Sequence, residues 1–143
     1  MLRVFVDSNV IVVAIRDPTT PSARVAKIVA SGALEVVLTD ALLREVARAA
    51  RREFGVQSSK IAYQMLARAP ARHVVWEFEW QHLLGEIRPL VLDRGDLPHV
   101  CAALVSDADA FVTLDDKLAR MPIRRKLAVI RPEVLLRSLG GPR

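Results

Sequence analysis

The sequence predicts an α/β fold, a single domain built on a central, mostly parallel β-sheet flanked by helices. Three observations carry this expectation. Short apolar runs alternate with stretches of helical periodicity along the whole chain, the order produced by a parallel sheet with crossover helices. No repeat, low-complexity tract or Gly/Ser-rich linker divides residues 1–143 into separate units. Apolar residues make up 52% of the chain, with a mean hydropathy of +0.24, which suits a well-filled core and argues against disorder.

Each element has a local reason. Arg3-Val4-Phe5-Val6 reads as the first strand, and a short helix over 8–16 follows, stopped by Asp17-Pro18. Ser22 is the expected cap of a helix to about Ser31, which Gly32 ends. Glu35-Val36-Val37-Leu38 is the second strand. Thr39 or Asp40 then caps a long helix over 41–54, closed by Gly55. Ser58 and Ser59 open a further helix to about Arg68, and Pro70 bars its continuation. A third strand is expected over 73–76, followed by a stretch without clear periodicity over 77–94. Gly95-Asp96-Leu97-Pro98 opens a helix to about Ser106, since Asp caps and Pro is tolerated in a first turn. A strand over 110–113, an Arg-rich connection, a strand over 127–130 and a helix over 132–139 complete the chain.

Composition narrows the class. No apolar run approaches the roughly 18 residues of a bilayer span, and Asp7 interrupts any signal-peptide core. The expectation is a soluble, cytoplasmic chain with no membrane partner. The single cysteine, Cys101, cannot form an internal disulfide, and its Val100-Cys101-Ala102-Ala103 setting makes it a core residue. Net charge is +5, and 17 of the 21 basic residues are Arg. A guanidinium forks onto phosphate, so this bias is compatible with a nucleic-acid partner, as it is with a plain solvated surface.

The acids are the informative residues. Ligands of open parallel sheets bind beyond the carboxyl ends of the strands. Asp7 directly follows the first strand, Asp115 lies two residues past Thr113, and Glu45 sits one turn into the helix after the second strand. Asp96 stands at a helix start. Each has a structural reading beside the chemical one. Asp7 and Asp96 would serve as N-caps, Glu45 could pair with Arg48 or Arg52 on its own helix, and Asp115-Asp116 would be tolerated in an exposed turn. Gathered within a few ångströms, however, several carboxylates cannot all stay ionised without a counter-charge. Mg²⁺ or Mn²⁺ would supply it, because these ions take oxygen ligands and keep waters. His99, three residues after Asp96, is expected to position Asp96 or the helix start rather than to ligate. A glycine-rich phosphate loop, a dinucleotide fingerprint, a nucleophile-elbow serine and a paired-histidine zinc motif are all missing from the sequence.

These residues resemble a known family. Val-Asp-Ser-Asn-Val-Ile-Val (6–12) is similar to the opening of PIN domains, Glu45 to their helical glutamate, Gly95-Asp96-Leu97-Pro98-His99 to their third acid and its helix, and residues 107–115 to the segment that carries the fourth. The resemblance covers essentially the whole chain in order. It implies a single PIN-like domain over 1–143 and Mg²⁺- or Mn²⁺-dependent endonuclease activity on RNA. Small chains of this kind are often VapC-type toxins that form homodimers and are inhibited by an antitoxin entering the acidic cleft. Two departures stand out: Asp115-Asp116-Lys117 replaces the family's Asp-x-Asp, leaving the role of Asp116 open, and Asp107 occupies a common Gly position.

The resemblance makes Asp7, Asp96 and Asp115 direct ligands and lets Glu45 ligate or hold a water. Ser8, Asn9 and Thr113 would support them through hydrogen bonds. RNA would need cations around such a pocket: Arg44, Arg48, Arg51 and Arg52 on one helix side, and Arg120, Arg124, Arg125 and Lys126 after Asp115. Trp76, Phe78 and Trp80 could stack bases or form a dimer interface. Other readings remain at this stage: a catalytically silent RNA-binding module, a DNA-directed nuclease, and a haloacid-dehalogenase-type phosphatase, against which Asn9 argues because that chemistry wants Asp there.

Overall fold

The computed structural model describes residues 1–140, with the side chains of Arg124 and Arg125 outside the description. Five strands form one sheet: β1 (Arg3–Val6), β2 (Glu35–Leu38), β3 (Arg72–Val74), β4 (Ala110–Val112) and β5 (Val129–Ile130). Their order is β3-β2-β1-β4-β5, and every pairing is parallel. β1 is central, with Val4 opposite both Val36 and Ala110. Strands buried on both faces read as continuous apolar runs. Here Val4, Phe5, Val6, Val36, Val37, Phe111 and Val112 are fully buried, and the Phe5 and Phe111 rings stack at 4.9 Å between centroids.

The chain runs outward from β1 through β2 to β3, then crosses back to lay β4 on the other side of β1. The reversal puts a crevice beyond the carboxyl ends of β1 and β4, the place where open α/β sheets bind ligands.

Helices cover both faces. α1 (Ser8–Arg16) leaves β1 directly, and α2 (Pro21–Ser31) follows. The cap of α2 is Thr20, whose hydroxyl accepts from Ala23 N at 3.2 Å. The expected Ser22 lies inside the first turn, because Pro21 already suits the first helical position. α3 (Asp40–Phe54) is capped by Thr39, whose hydroxyl accepts from Leu42 N at 3.0 Å. Gly55 closes it with φ 97°, a conformation that disfavours side chains. α4 (Val56–Ala67) starts at once, earlier than expected. Ser59 donates instead to the Ala47 carbonyl at 2.7 Å, stapling α4 to α3.

β3 is one residue earlier and shorter than expected, leaving Trp76 beyond its end. The stretch without periodicity folds into single turns: α5 (Glu77–Trp80) and α6 (Leu84–Ile87), with 3₁₀ turns at Gln81–Leu83 and Arg88–Leu90. They pack on α7 (Leu97–Val105) through Trp80 and Ile87, both buried. The Arg-rich connection is also ordered, as α8 (Asp116–Arg120) and a 3₁₀ turn at Pro122–Arg125. β5 is only two residues long, and α9 (Pro132–Ser138) ends one residue before the expected boundary. Among the described residues no helix is long and apolar enough to cross a membrane. Cys101 is fully buried, and burial pushes its thiol up to about 11.

The two ends of the sheet treat charge differently. At the amino end, Arg3 N donates to Asp109 Oδ2 at 2.8 Å, and the Arg3 guanidinium binds both Glu35 and the Ser106 carbonyl. Acids there are neutralised. At the carboxyl end Asp7, Asp96 and Asp115 have no such partner among the described residues.

Candidate active site

Asp7 is the pivot of the carboxyl end. Its backbone extends the sheet by donating to the Val112 carbonyl at 2.9 Å, which brings the side chain over the β1–β4 crevice. Asp7 is 5% exposed. Its Oδ1 accepts from Ser8 N at 2.8 Å, and its Oδ2 accepts from the Thr113 hydroxyl at 2.8 Å. Burial raises its pKa, and the charge of Glu45 adds to the rise; the Thr113 hydroxyl, His99 and Ser8 N–H oppose it.

Thr113 directly follows β4, and its hydroxyl meets Asp7 across the crevice. That one hydroxyl donates to Asp7 and accepts from Asp115 N at 3.1 Å and from Asn9 Nδ2 at 3.3 Å. One donor and two acceptor positions are thereby filled. Asn9 Oδ1 accepts from Leu114 N at 3.2 Å. Asn9 and Thr113 thus tie the start of α1 to the loop after β4, and this loop presents Asp115. Asp115 caps α8 through Lys117 N at 2.9 Å while keeping its other oxygen free of hydrogen bonds among the described residues.

Asp96 precedes α7 without capping it: its side chain makes no capping bond. The turn is closed by Asp93, whose Oδ1 accepts from Gly95 N at 2.8 Å. Asp96 is left facing the other acids. Burial, with the charges of Asp7, Asp93 and Asp115, pushes its pKa up to about 7. Asp93, Asp96, Asp115 and Lys117 line one hollow of about 290 Å³. Asp93 is missed by the sequence reading; the signal that could have found it is the doubled acid in Asp93-Arg94-Gly95-Asp96.

His99 does not position Asp96, as local spacing suggested. Its Nε2 lies 2.9 Å from Glu45 Oε2, bridging α7 to α3. Glu45 takes this partner rather than an arginine of its own helix. The His99 hydrogen bond holds the Glu45 carboxyl below its ordinary range against partial burial, with Ser8 and Arg48 assisting. Burial alone would lower the His99 pKa, but the carboxylates of Glu45, Asp7 and Asp96 outweigh it and raise it.

Asp116 turns away from this group. Its Oδ1 accepts from Arg131 at 3.0 Å. Arg131 also donates to the Leu114 carbonyl at 3.2 Å and to Glu133 at 2.6 Å. It therefore holds the Asp115 loop together with Asn9, through a contact 17 positions apart that no local pattern of the sequence carries.

Among the described residues, no Lys or Arg forms an ion pair with Asp7, Asp96 or Asp115. Nor do any three His, Cys, Asp or Glu side chains form a ready-made metal cage. The donor set nevertheless fits a hard divalent cation. It is made of carboxylate oxygens, one of which, on Asp96, burial and the neighbouring acids already drive towards protonation. A cation such as Mg²⁺ needs only one or two protein carboxylates and retains water for the rest.

The basic candidates separate. Arg44 pairs with Asp40 at 3.3 Å and lines a hollow with Trp76 and Pro98. Arg48, Arg51, Arg52 and Arg120 are exposed. Lys126 is tied to Glu86, and the Arg124 and Arg125 side chains lie outside the description. Trp76 and Phe78 are largely exposed, whereas Trp80 is buried against α7 and offers no stacking face.

A family model of the PIN domain matches residues 3–117. The fold is shared with a chain of VapBC2 from Rickettsia felis, solved bound to a DNA fragment from their promoter. That likeness has a TM-score of 0.64 at 15% identity, covering 91% of this chain and 98% of the other. It is shared equally with a chain of VapBC-1 from nontypeable Haemophilus influenzae, at TM-score 0.62 and 15% identity, covering 92% and 99%. No curated protein matches the sequence.

Proposed function

Since the chain belongs to the PIN-domain family, we propose that it is a Mg²⁺- or Mn²⁺-dependent endoribonuclease, the toxin of a VapBC-type toxin–antitoxin pair. The observation that carries this reading is a buried Asp7 beside an Asp96 and Asp115 that share one hollow, with no Lys or Arg ion pair to any of the three among the described residues. Burial and the charges of Asp7, Asp93 and Asp115 raise the Asp96 pKa to about 7. An acidic site that repels itself is poised for a cation.

Asp7, Asp96 and Asp115 would hold the cation, with Glu45 ligating or holding a water. When bound, a divalent cation supplies Lewis acidity to the phosphodiester and to the attacking water. The chain's own groups do the rest. Glu45, kept ionised by His99, orients the attacking water by accepting a hydrogen bond. The Thr113 hydroxyl, Ser8 N–H and Asn9 keep the Asp7 and Asp115 carboxylates in place. Water adds to phosphorus and gives up a proton to solvent, the bond to the leaving ribose oxygen breaks, and that oxygen takes up a proton from solvent. Arg44, Arg48, Arg51, Arg52, Arg120, Arg124, Arg125 and Lys126 are the proposed backbone contacts for RNA.

We read residues 1–143 as one cytoplasmic domain acting as a homodimer held in check by a cognate antitoxin. Trp76, Phe78 and Val74 beyond and along the edge strand, and Val56 and Ile61 on α4, are exposed apolar side chains suited to such partners.

The test is incubation of mixed-sequence single-stranded RNA with purified protein in Mg²⁺, Mn²⁺ or chelator, beside Asp7→Asn. Cleavage should require metal and fall at least about 100-fold in Asp7→Asn, the scale of losing a main electrostatic group, with the melting curve preserved. Intact RNA under every metal condition would overturn the proposal.

A further inference from the structure

A cleft of about 600 Å³ runs away from the carboxylates between α1 and α3, within the size of ordinary ligand clefts, roughly 300–1,000 Å³. Both helices start at the site and leave it side by side. On α1 the residues Ser8, Val12 and Arg16 recur every fourth position and form one stripe. On α3 the stripe from Glu45 continues through Ala49 to Arg52 and Glu53. Ser8 and Asn9 stand at the reactive end of the cleft, and Arg16, Arg52 and Glu53 at the far end. Eight residues of helix separate Ser8 from Arg16, about 12 Å.

The cleft therefore changes character along its length. Its inner end meets buried acid, its middle is walled by Val12, Val13 and Ala49, and its outer end carries two guanidinium groups. Arg16 is engaged there by a two-point pair with Glu53, Nε to Oε2 at 3.2 Å and a second nitrogen to Oε1. Arg52 makes no ion pair among the described residues.

We propose that this cleft is the track along which the RNA strand leaves the scissile phosphate, with Arg52 and Arg16 gripping its next phosphates and Glu53 holding Arg16 until the strand arrives. The proposal rests on the ribonuclease reading above. It selects Arg52 from the wider set of arginines and adds Arg16, which no motif marks. Apolar walls leave ribose and base edges room without competing hydrogen bonds, and a planar fork matches a phosphate as well as a carboxylate. Glu53 is then a competitor: strand binding exchanges its carboxylate for phosphate on Arg16.

That exchange makes a prediction of opposite signs. Binding of a fluorescent mixed-sequence single-stranded RNA to Asp7→Asn protein is measured by anisotropy at several salt concentrations. Adding Arg52→Gln or Arg16→Gln should weaken binding several-fold and flatten the log–log salt slope by about 0.7 each. Glu53→Gln should instead tighten binding. Arg137→Gln on α9, with the same loss of charge, should change neither. Melting curves check that each variant folds. An unchanged slope in both arginine variants, or weaker binding in Glu53→Gln, would overturn the track and leave the face to a protein partner. Metal-dependent cleavage by the parent protein separates that failure from a failure of the ribonuclease reading, which would show no cleavage at all.

Discussion

His99 and Glu45 join two helices across 54 positions of sequence, with Nε2 2.9 Å from Oε2. His99 is 2% exposed, and its Nδ1 has no hydrogen-bond partner among the described residues. The pair thus commits a buried imidazole to a single side-chain hydrogen bond among the described residues, with Glu45. This is how a site crowded with acids keeps Glu45 ionised while burial pushes Asp7 and Asp96 towards protonation.

His99→Leu should release Glu45. With the hydrogen bond gone its pKa rises, so the acid limb of the cleavage-rate profile should move to higher pH. Stability should fall by about 1–3 kcal/mol from breaking a part-buried bonded pair. Rate profiles against pH and thermal melts check both. An unmoved acid limb would show that Glu45 does not govern it.

The sign for Asp96 is the reverse. Its folded pKa of about 7 stands above the ordinary 3.8, so the native state holds a proton that the unfolded chain has lost. Stability from this group is full below about pH 4 and disappears as pH rises through about 7. Metal-free protein should therefore lose melting temperature over that window. Asp96→Asn should flatten the loss, and added Mg²⁺ or Mn²⁺ should restore the wild-type midpoint above pH 7 by binding the native state. Parallel pH profiles for wild type and Asp96→Asn in chelator would reject the assignment.

Arg131 holds the Asp115 loop through the Leu114 carbonyl and Asp116. Arg131→Gln should lower kcat several-fold through a displaced Asp115, while stability changes by only about 1 kcal/mol because the guanidinium is part-exposed. Arg131→Lys should recover activity only in part, since an ammonium cannot reproduce the fork. Steady-state kinetics on a short RNA read both.

Asp107 adopts φ 53° in the turn between α7 and β4. This is the left-handed region, which Gly enters freely and Asp tolerates at some cost. Asp107→Gly should be neutral or stabilising, by up to about 1 kcal/mol, with cleavage unaffected. A clear drop in melting temperature would contradict this.

Much of this was legible in the chain because its signals are local. Apolar runs ending in an acid mark β1 and Asp7, and a Gly-Asp-x-Pro start marks Asp96. The rest depended on contacts that no local pattern encodes. Spacing linked His99 to Asp96, one turn away, but the ring reaches across the core to Glu45. The role of Asp116, open from the sequence, depends on a contact 15 positions away: it pairs with Arg131, while Asp115 shares a hollow with Asp96. Residues 77–94 form turns too short to show a helical period, so Trp80 passed for a surface aromatic when it is a packing residue under α7.

The pairing of β1 with β4 has a consequence for the life of the chain before it is finished. Asp7 emerges early in synthesis, but the hydroxyl that holds it belongs to Thr113, 106 positions later. Chains are made at about 5–20 residues per second and fold from the amino terminus. Until β4 is made, then, a nascent molecule carries β1 to β3 without the strand that completes the crevice. The acidic crevice therefore cannot be assembled before the chain has been made through Thr113.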